Sequence, residues 1–264
     1  MKTLIKILCL SVLWFSCENS TEPEPEGCDG IPGSGLEFDE CGVCDGDGVD
    51  EDEDGICDDI DDCIEDCGGS CNNENVEIWS WCYNISETTS LEPHESFTDG
   101  QVIPPEIGQL INLTTLDLYN KKLLGVIPVE IGDIVNLRKI QLGNNQLSGE
   151  IPQEIGNLSN LTELYLYGND LTGEIPLTIW NMTNLNSLYL DNNQLTGEIP
   201  LIVENLINLY SLDLEDNQLT GEIPQEICNQ GDNSPSLSNN QFCPPYPTCL
   251  TQNDVGVQDT SNCP

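Results

Sequence analysis

A 24-residue unit is written almost five times between Leu113 and about Pro224, its first leucines falling at Leu113, Leu137, Leu161, Leu185 and Leu209 without insertion. The second copy reads LRKIQLGNNQLSGEIPQEIGNLSN and the third LTELYLYGNDLTGEIPLTIWNMTN. A unit this short cannot bury an apolar face by itself, so exact recurrence at this period predicts stacked units sharing one continuous core, a solenoid. Within each unit x-L-x-L-x alternates, the pattern of a short strand with leucines inward and x residues toward solvent on a concave sheet. The inward columns are Leu113/Leu137/Leu161/Leu185/Leu209, Leu116/Ile140/Leu164/Leu188/Leu212 and Leu118/Leu142/Leu166/Leu190/Leu214. Asn145, Asn169, Asn193 and Asn217 recur just behind the strand. Their amides predict a ladder that bonds the backbone groups freed where the chain leaves the strand. Lys121 holds that place in the first full unit, so the ladder is expected one turn late.

The consensus L-x-x-L-x-L-x-x-N-x-L-x-G-x-I-P resembles the leucine-rich repeat in the GxIP form of plant receptors, and with irregular flanks the likeness covers roughly residues 80–250. The resemblance implies a right-handed α/β-type superhelix of short parallel strands with 3-10 turns, disulfide-capped at its ends. The proline column keeps the convex side to brief turns. Ligand information then belongs to the variable strand positions of the concave face. Tyr119, Lys139, Gln141, Glu163, Tyr165, Tyr167, Tyr189, Asp191 and Asp213 are the candidate ligand-binding residues, with Ser187 among the other solvent-facing positions. Tyrosine joins a broad apolar face to a hydroxyl, as interfaces and stacked sugars require. It also suits exposed strands for their own sake, and both readings stand. The basic residues Lys121, Lys122, Arg138 and Lys139 gather in the first two units, either to offset local acid or to mark a docking end for an anionic partner.

The chain carries 47 acidic and 6 basic residues, a formal charge of −41. Such a field repels phosphate backbones and excludes nucleic acid as a partner. Residues 1–16 read as a signal peptide: Lys2 and Lys6, then an apolar run from Ile7 to Phe15 too short to span a membrane. Ser16-Cys17 and the tether at residues 17–27 resemble a bacterial lipoprotein signal, which implies lipidation of Cys17. Contact with a membrane is then expected through that anchor alone. The alternative is an ordinary secretory peptide that leaves Cys17 as an odd thiol.

Residues 28–75 form an acidic, cysteine-rich segment. Asp50, Asp52, Asp54 and Gly55, followed by Asp58 and Asp61, make D-x-D-x-D-G with further carboxylates. Alternating acids on a glycine-turned loop suit calcium, a hard cation that takes six to eight oxygens. The EF-hand fits less well, since Asp61 stands where its bidentate Glu belongs. The run resembles the thrombospondin type 3 repeat, which implies calcium as cofactor. The bland alternative is a solvated acidic tether. Fourteen cysteines indicate an oxidising compartment and disulfides, so Cys41-x-x-Cys44 is expected to be neither a zinc nor a redox site.

Residues 76–112 read as an N-terminal cap and degenerate first turn. Trp79, Trp81, Cys82 and Tyr83 offer cover there, and Leu91 and Phe97 take strand and following leucine places. The regular repeats occupy residues 113–227. Residues 228–264 read as a cap in which Leu237 and Asn240 continue the columns, and Cys228, Cys243, Cys249 and Cys263 form two bridges of open connectivity. The chain holds no Ser-His or Cys-His pair and no phosphate loop, and its lone His94 has no evident partner, so an enzyme is not expected. The expected function is extracytoplasmic, surface-anchored recognition or adhesion, with a protein or glycan on the concave face. Two alternatives stand: an inhibitor of a secreted glycan hydrolase, as the similar plant polygalacturonase inhibitors are, or a calcium-stiffened structural surface protein.

Overall fold

The computed structural model describes residues 75–92, 99–232 and 234–264. Strands β1 (Asn75–Ile78) and β2 (Trp81–Asn84) lead into β3 (Ser90–Leu91). Each regular repeat then opens with a three-residue strand, and all but the fourth carry a second short strand starting seven to nine residues on. These pairs are β4 (Thr115–Asp117) and β5 (Leu124–Gly125), β6 (Lys139–Gln141) and β7 (Gln146–Glu150), and β8 (Glu163–Tyr165) and β9 (Asp170–Thr172). The fourth repeat gives β10 (Ser187–Tyr189) and the fifth gives β11 (Ser211–Asp213) and β12 (Thr220–Glu222), before β13 (Gln241–Cys243) in the cap.

The first strand of every repeat joins one parallel sheet in the order β11-β10-β8-β6-β4-β3. Its register is set by the repeat, with Leu116 opposite Ile140, Ile140 opposite Leu164 and Leu164 opposite Leu188. Leu91 stands opposite Leu116 as expected of the degenerate turn, 25 residues away instead of 24, and Phe97 lies outside the described residues. At the other end Asp213 bridges to Ser236, so the cap adds a further strand position. The second strands run parallel along a neighbouring flank. Five-residue 3-10 helices such as Val129–Asp133 and Gln153–Asn157 return the chain along the convex side, each preceded by the proline of the I-P pair.

The three leucine columns are buried throughout, and four further columns complete each turn of core, for example Leu147, Ile151, Ile155 and Leu158 in the second repeat. The asparagine ladder is present and starts one turn late. In each of Asn145, Asn169, Asn193 and Asn217 the side-chain amide donates to a carbonyl of its own turn and to one of the turn before. The oxygen of each accepts an N–H of the preceding turn, as Asn169 does from Leu147. Asn240 extends the same geometry into the C-terminal cap. At the N-terminal end Val76 and Ile78 of β1 lie in the core, with Trp79, Tyr83 and Ile85 packed against it, so the aliphatic pair joins the expected aromatics as cover. Cys82 is in a disulfide. The C-terminal bridges are Cys228–Cys249 and Cys243–Cys263, and a short helix α1 (Gln252–Val255) closes the cap with a Thr251–Asp254 capping box.

Candidate functional site

A leucine-in strand must send its alternate residues outward, and here the outward set meets on one sheet. Register places Asp117, Gln141, Tyr165, Tyr189 and Asp213 in one row along β4, β6, β8, β10 and β11. Beside them runs the row after each strand: Tyr119, Gly143, Tyr167, Asp191 and Glu215. The four tyrosines form one continuous aromatic surface. Tyr165 and Tyr189 rings lie 5.2 Å apart, Tyr167 and Tyr189 6.4 Å, and Tyr119 and Tyr167 6.3 Å.

The last contact spans two repeats and depends on Gly143. A Cβ there would stand 2.7 Å from the Tyr167 ring, so only glycine lets Tyr167 lie across the missing side chain toward Tyr119. The hydroxyls are held as well. Asn144 donates to the Tyr119 hydroxyl at 3.0 Å, Ser211 to that of Tyr189 at 2.7 Å, and Tyr165 donates to Glu163 at 3.2 Å. Burial against these neighbours raises the Tyr165 and Tyr167 hydroxyls above the usual tyrosine range. The stripe therefore presents fixed ring faces and few free hydroxyls. Ser187 departs from expectation. It is 1% exposed, lying beneath the tilted rings of Tyr165 on neighbouring β8 and Tyr189 two residues on in its own strand.

The face divides by charge. In its first half Lys139 pairs with Asp117 at 3.1 Å and Gln141 turns back to accept the Gly143 N–H at 3.0 Å. Lys122 likewise pairs with Asp99, at 2.5 Å. Two of the four grouped cations thus neutralise local acid. In the second half Asp191, Asp213, Glu215 and Asp216 gather without a basic partner among the described residues. Burial first, then mutual repulsion, raises Asp191 above the usual carboxylate range and pushes Asp213 up to about 6. Asp191 Oδ1 is buried and has no hydrogen-bond partner among the described residues, while its other oxygen accepts from Asn192 at 2.8 Å. Beside the sheet lies a shallow polar hollow of 380 Å³ lined by Asn112, Thr114, Asn136, Arg138 and Asn160. Asn112, Asn136 and Asn160 are committed to backbone carbonyls of Ser86, Ile111 and Val135.

Each candidate concave residue thus lies on or just after a strand of this one sheet. Sequence reading places Gly143 and Ser211 only among the solvent-facing positions, without their supporting roles, and does not single out Asn144. The break in the tyrosine column at Gly143 was the visible signal. Asp50, Asp52, Asp54, Asp58 and Asp61, Cys17 and His94 lie outside the described residues.

A leucine rich repeat profile of two copies matches residues 135–178, and a single-repeat profile matches 184–206 and 208–230. No curated protein matches this chain. Among solved structures the chain is similar to the PEPR1–AtPEP1 complex, at 35% identity and TM-score 0.56 over 63% of this chain and 24% of that one. It is also similar to a TDR receptor, at 34% identity and TM-score 0.51 over 58% of this chain and 31% of that one. Pollen Receptor Kinase 3 matches at 31% identity and TM-score 0.53 over 59% of this chain and 76% of that one. The chain spans about a quarter of the length of the PEPR1 chain that it matches.

Proposed function

We propose that this chain, which belongs to the leucine-rich repeat family, is a non-enzymatic recognition protein that binds a protein or glycan across its concave sheet. The observation that carries this reading is the continuous tyrosine surface, Tyr119 to Tyr189, on a parallel sheet whose register the buried core columns hold. Rigid amphipathic rings give contact area at small entropic cost, which favours binding over a merely structural face. Two of the similar structures are named as receptors and a third is a complex with a second component, which supports recognition as the role. The C-terminal disulfides support a place outside the cytoplasm.

Anchoring at the surface through a lipidated Cys17 belongs to the same proposal, as does calcium held by Asp50, Asp52, Asp54, Asp58 and Asp61. The test of recognition is a surface-protein pull-down with a glycan array, run on the full chain and on its Tyr165→Ala/Tyr189→Ala variant. Partners captured by the parent and lost by the variant are expected. Capture that ignores the two tyrosines would overturn the reading. For calcium, titration should protect residues 28–71 from proteolysis, and unchanged cleavage would dispose of the site.

A further inference from the structure

Beside the concave sheet, two columns of polar residues run along the solenoid. In the first, Asn112, Asn136 and Asn160 stand on successive turns about 4.8 Å apart. Each spends its amide on a backbone carbonyl of the turn before, while no described residue donates to its side-chain oxygen. Three acceptors are therefore left open in a line. In the second column the Thr114 and Thr162 hydroxyls donate to the carbonyls of Thr89 and Arg138. Arg138 takes the threonine place between them. It lacks the hydroxyl that bonds a carbonyl in its column, and its guanidinium has no ion-pair partner among the described residues. The repeat itself does not call for this arginine.

The two columns line the hollow of 380 Å³, at the small end of ligand clefts, which hold roughly 300–1,000 Å³. Its walls are Ser, Thr, Asn and one Arg, without a single carboxylate in a chain of 47 acidic residues. A guanidinium offers a planar fork to a carboxylate or a sulfate, and open amide oxygens accept from hydroxyls. Walls without an apolar side chain give a peptide's apolar groups nothing to bury against, so a ligand dense in hydroxyls fits better than an acidic peptide. Net charge limits the anion as well. One unpaired cation cannot draw a polyanion against a field of −41.

We propose that this hollow binds a mostly neutral oligosaccharide through a single acidic sugar. Its carboxylate or sulfate sits on the Arg138 guanidinium, and its hydroxyls donate to Asn112, Asn136 and Asn160. The site lies outside the tyrosine surface, so its failure leaves the recognition reading of that face standing.

The experiment is a glycan array read with the full chain and with its Arg138→Thr variant, which restores the residue of the neighbouring turns and so keeps the fold. Each neutral oligosaccharide is printed beside counterparts that bear one hexuronate or one sulfate, together with a polyuronate and an acidic peptide. A singly acidic member is expected to bind about tenfold or more above its neutral counterpart and to lose that margin in Arg138→Thr. Lys122→Gln, an equal loss of charge at a lysine already paired with Asp99, is expected to change binding less than about twofold. Dependence on Arg138 among carboxylated members, sulfated members or both supports the site and names its anion. Undiminished binding in Arg138→Thr, preference for the polyuronate or the peptide, or binding by no member overturns it.

Discussion

Asn169 shows how much one side chain can hold. Its amide donates to the Leu142 and Leu166 carbonyls, and its oxygen accepts the Leu147 N–H, all buried. Asn169→Ala strands those groups where neither strand nor water can reach them. The expected cost is about 3 kcal/mol, read as a lower denaturant midpoint at unchanged slope; a loss under about 0.5 kcal/mol would contradict the ladder's role. Asp213 works the other way. Burial and the neighbouring Asp191, Glu215 and Asp216 raise it from 3.8 to about 6, so the folded chain binds this proton more tightly than the unfolded one. Its contribution to stability is fully present below 3.8 and is lost as pH rises through about 6. Asp213→Asn should therefore raise the melting temperature at pH 7.5 and leave it unchanged at pH 3.5. An equal shift at both would mean that charge is not the cause.

Repeats tolerate variation only where the neighbouring turn leaves room. Gly143 yields its space to the Tyr167 ring, so Gly143→Ala should push that ring off Tyr119 and weaken ligands of the aromatic face while moving the melting temperature little. Equal affinity in the variant would show that the Tyr119–Tyr167 contact is incidental. Trp180 takes the place that Gly108, Gly132 and Gly156 hold in earlier turns, and the 3-10 helix there shrinks to Ile179–Asn181. Its ring is fully buried, and its indole N–H has no hydrogen-bond partner among the described residues. A second asparagine ladder runs outside the sheet. Asn112, Asn136, Asn160, Asn184 and Asn208 each donate to a carbonyl of the turn before, so these N-L-x positions are structural. At the C-terminal end each disulfide closes a loop of about 20 residues. Removing one is expected to cost about 3 kcal/mol. Because each turn touches only its neighbours, the loss should appear in hydrogen exchange as fraying that fades from residue 264 back toward the third repeat. Uniform deprotection would argue for an all-or-none fold instead.

Across the repeat body, the solenoid, its strand columns, the asparagine ladder and the four-cysteine cap were all legible in the chain order. Each follows from contacts between residues 24 apart or nearly so, and a strict period states those contacts directly. The cap's pairing was not legible, because four cysteines allow three connectivities and only the fold brings Cys228 to Cys249 and Cys243 to Cys263. Which strand residues leave toward the outer side of the sheet could be listed from alternation alone, although Ser187 is buried there. Their grouping was decided by packing. Tyr167 reaches Tyr119 only because Gly143 lies between, Ser187 sinks below two tyrosine rings, and Lys139 is consumed by Asp117. A periodic sequence determines which face a side chain leaves from, because the backbone repeats. Where that side chain leans, and which charge stays unpaired, depends on its neighbours in adjacent turns, and only the stacked structure decides it.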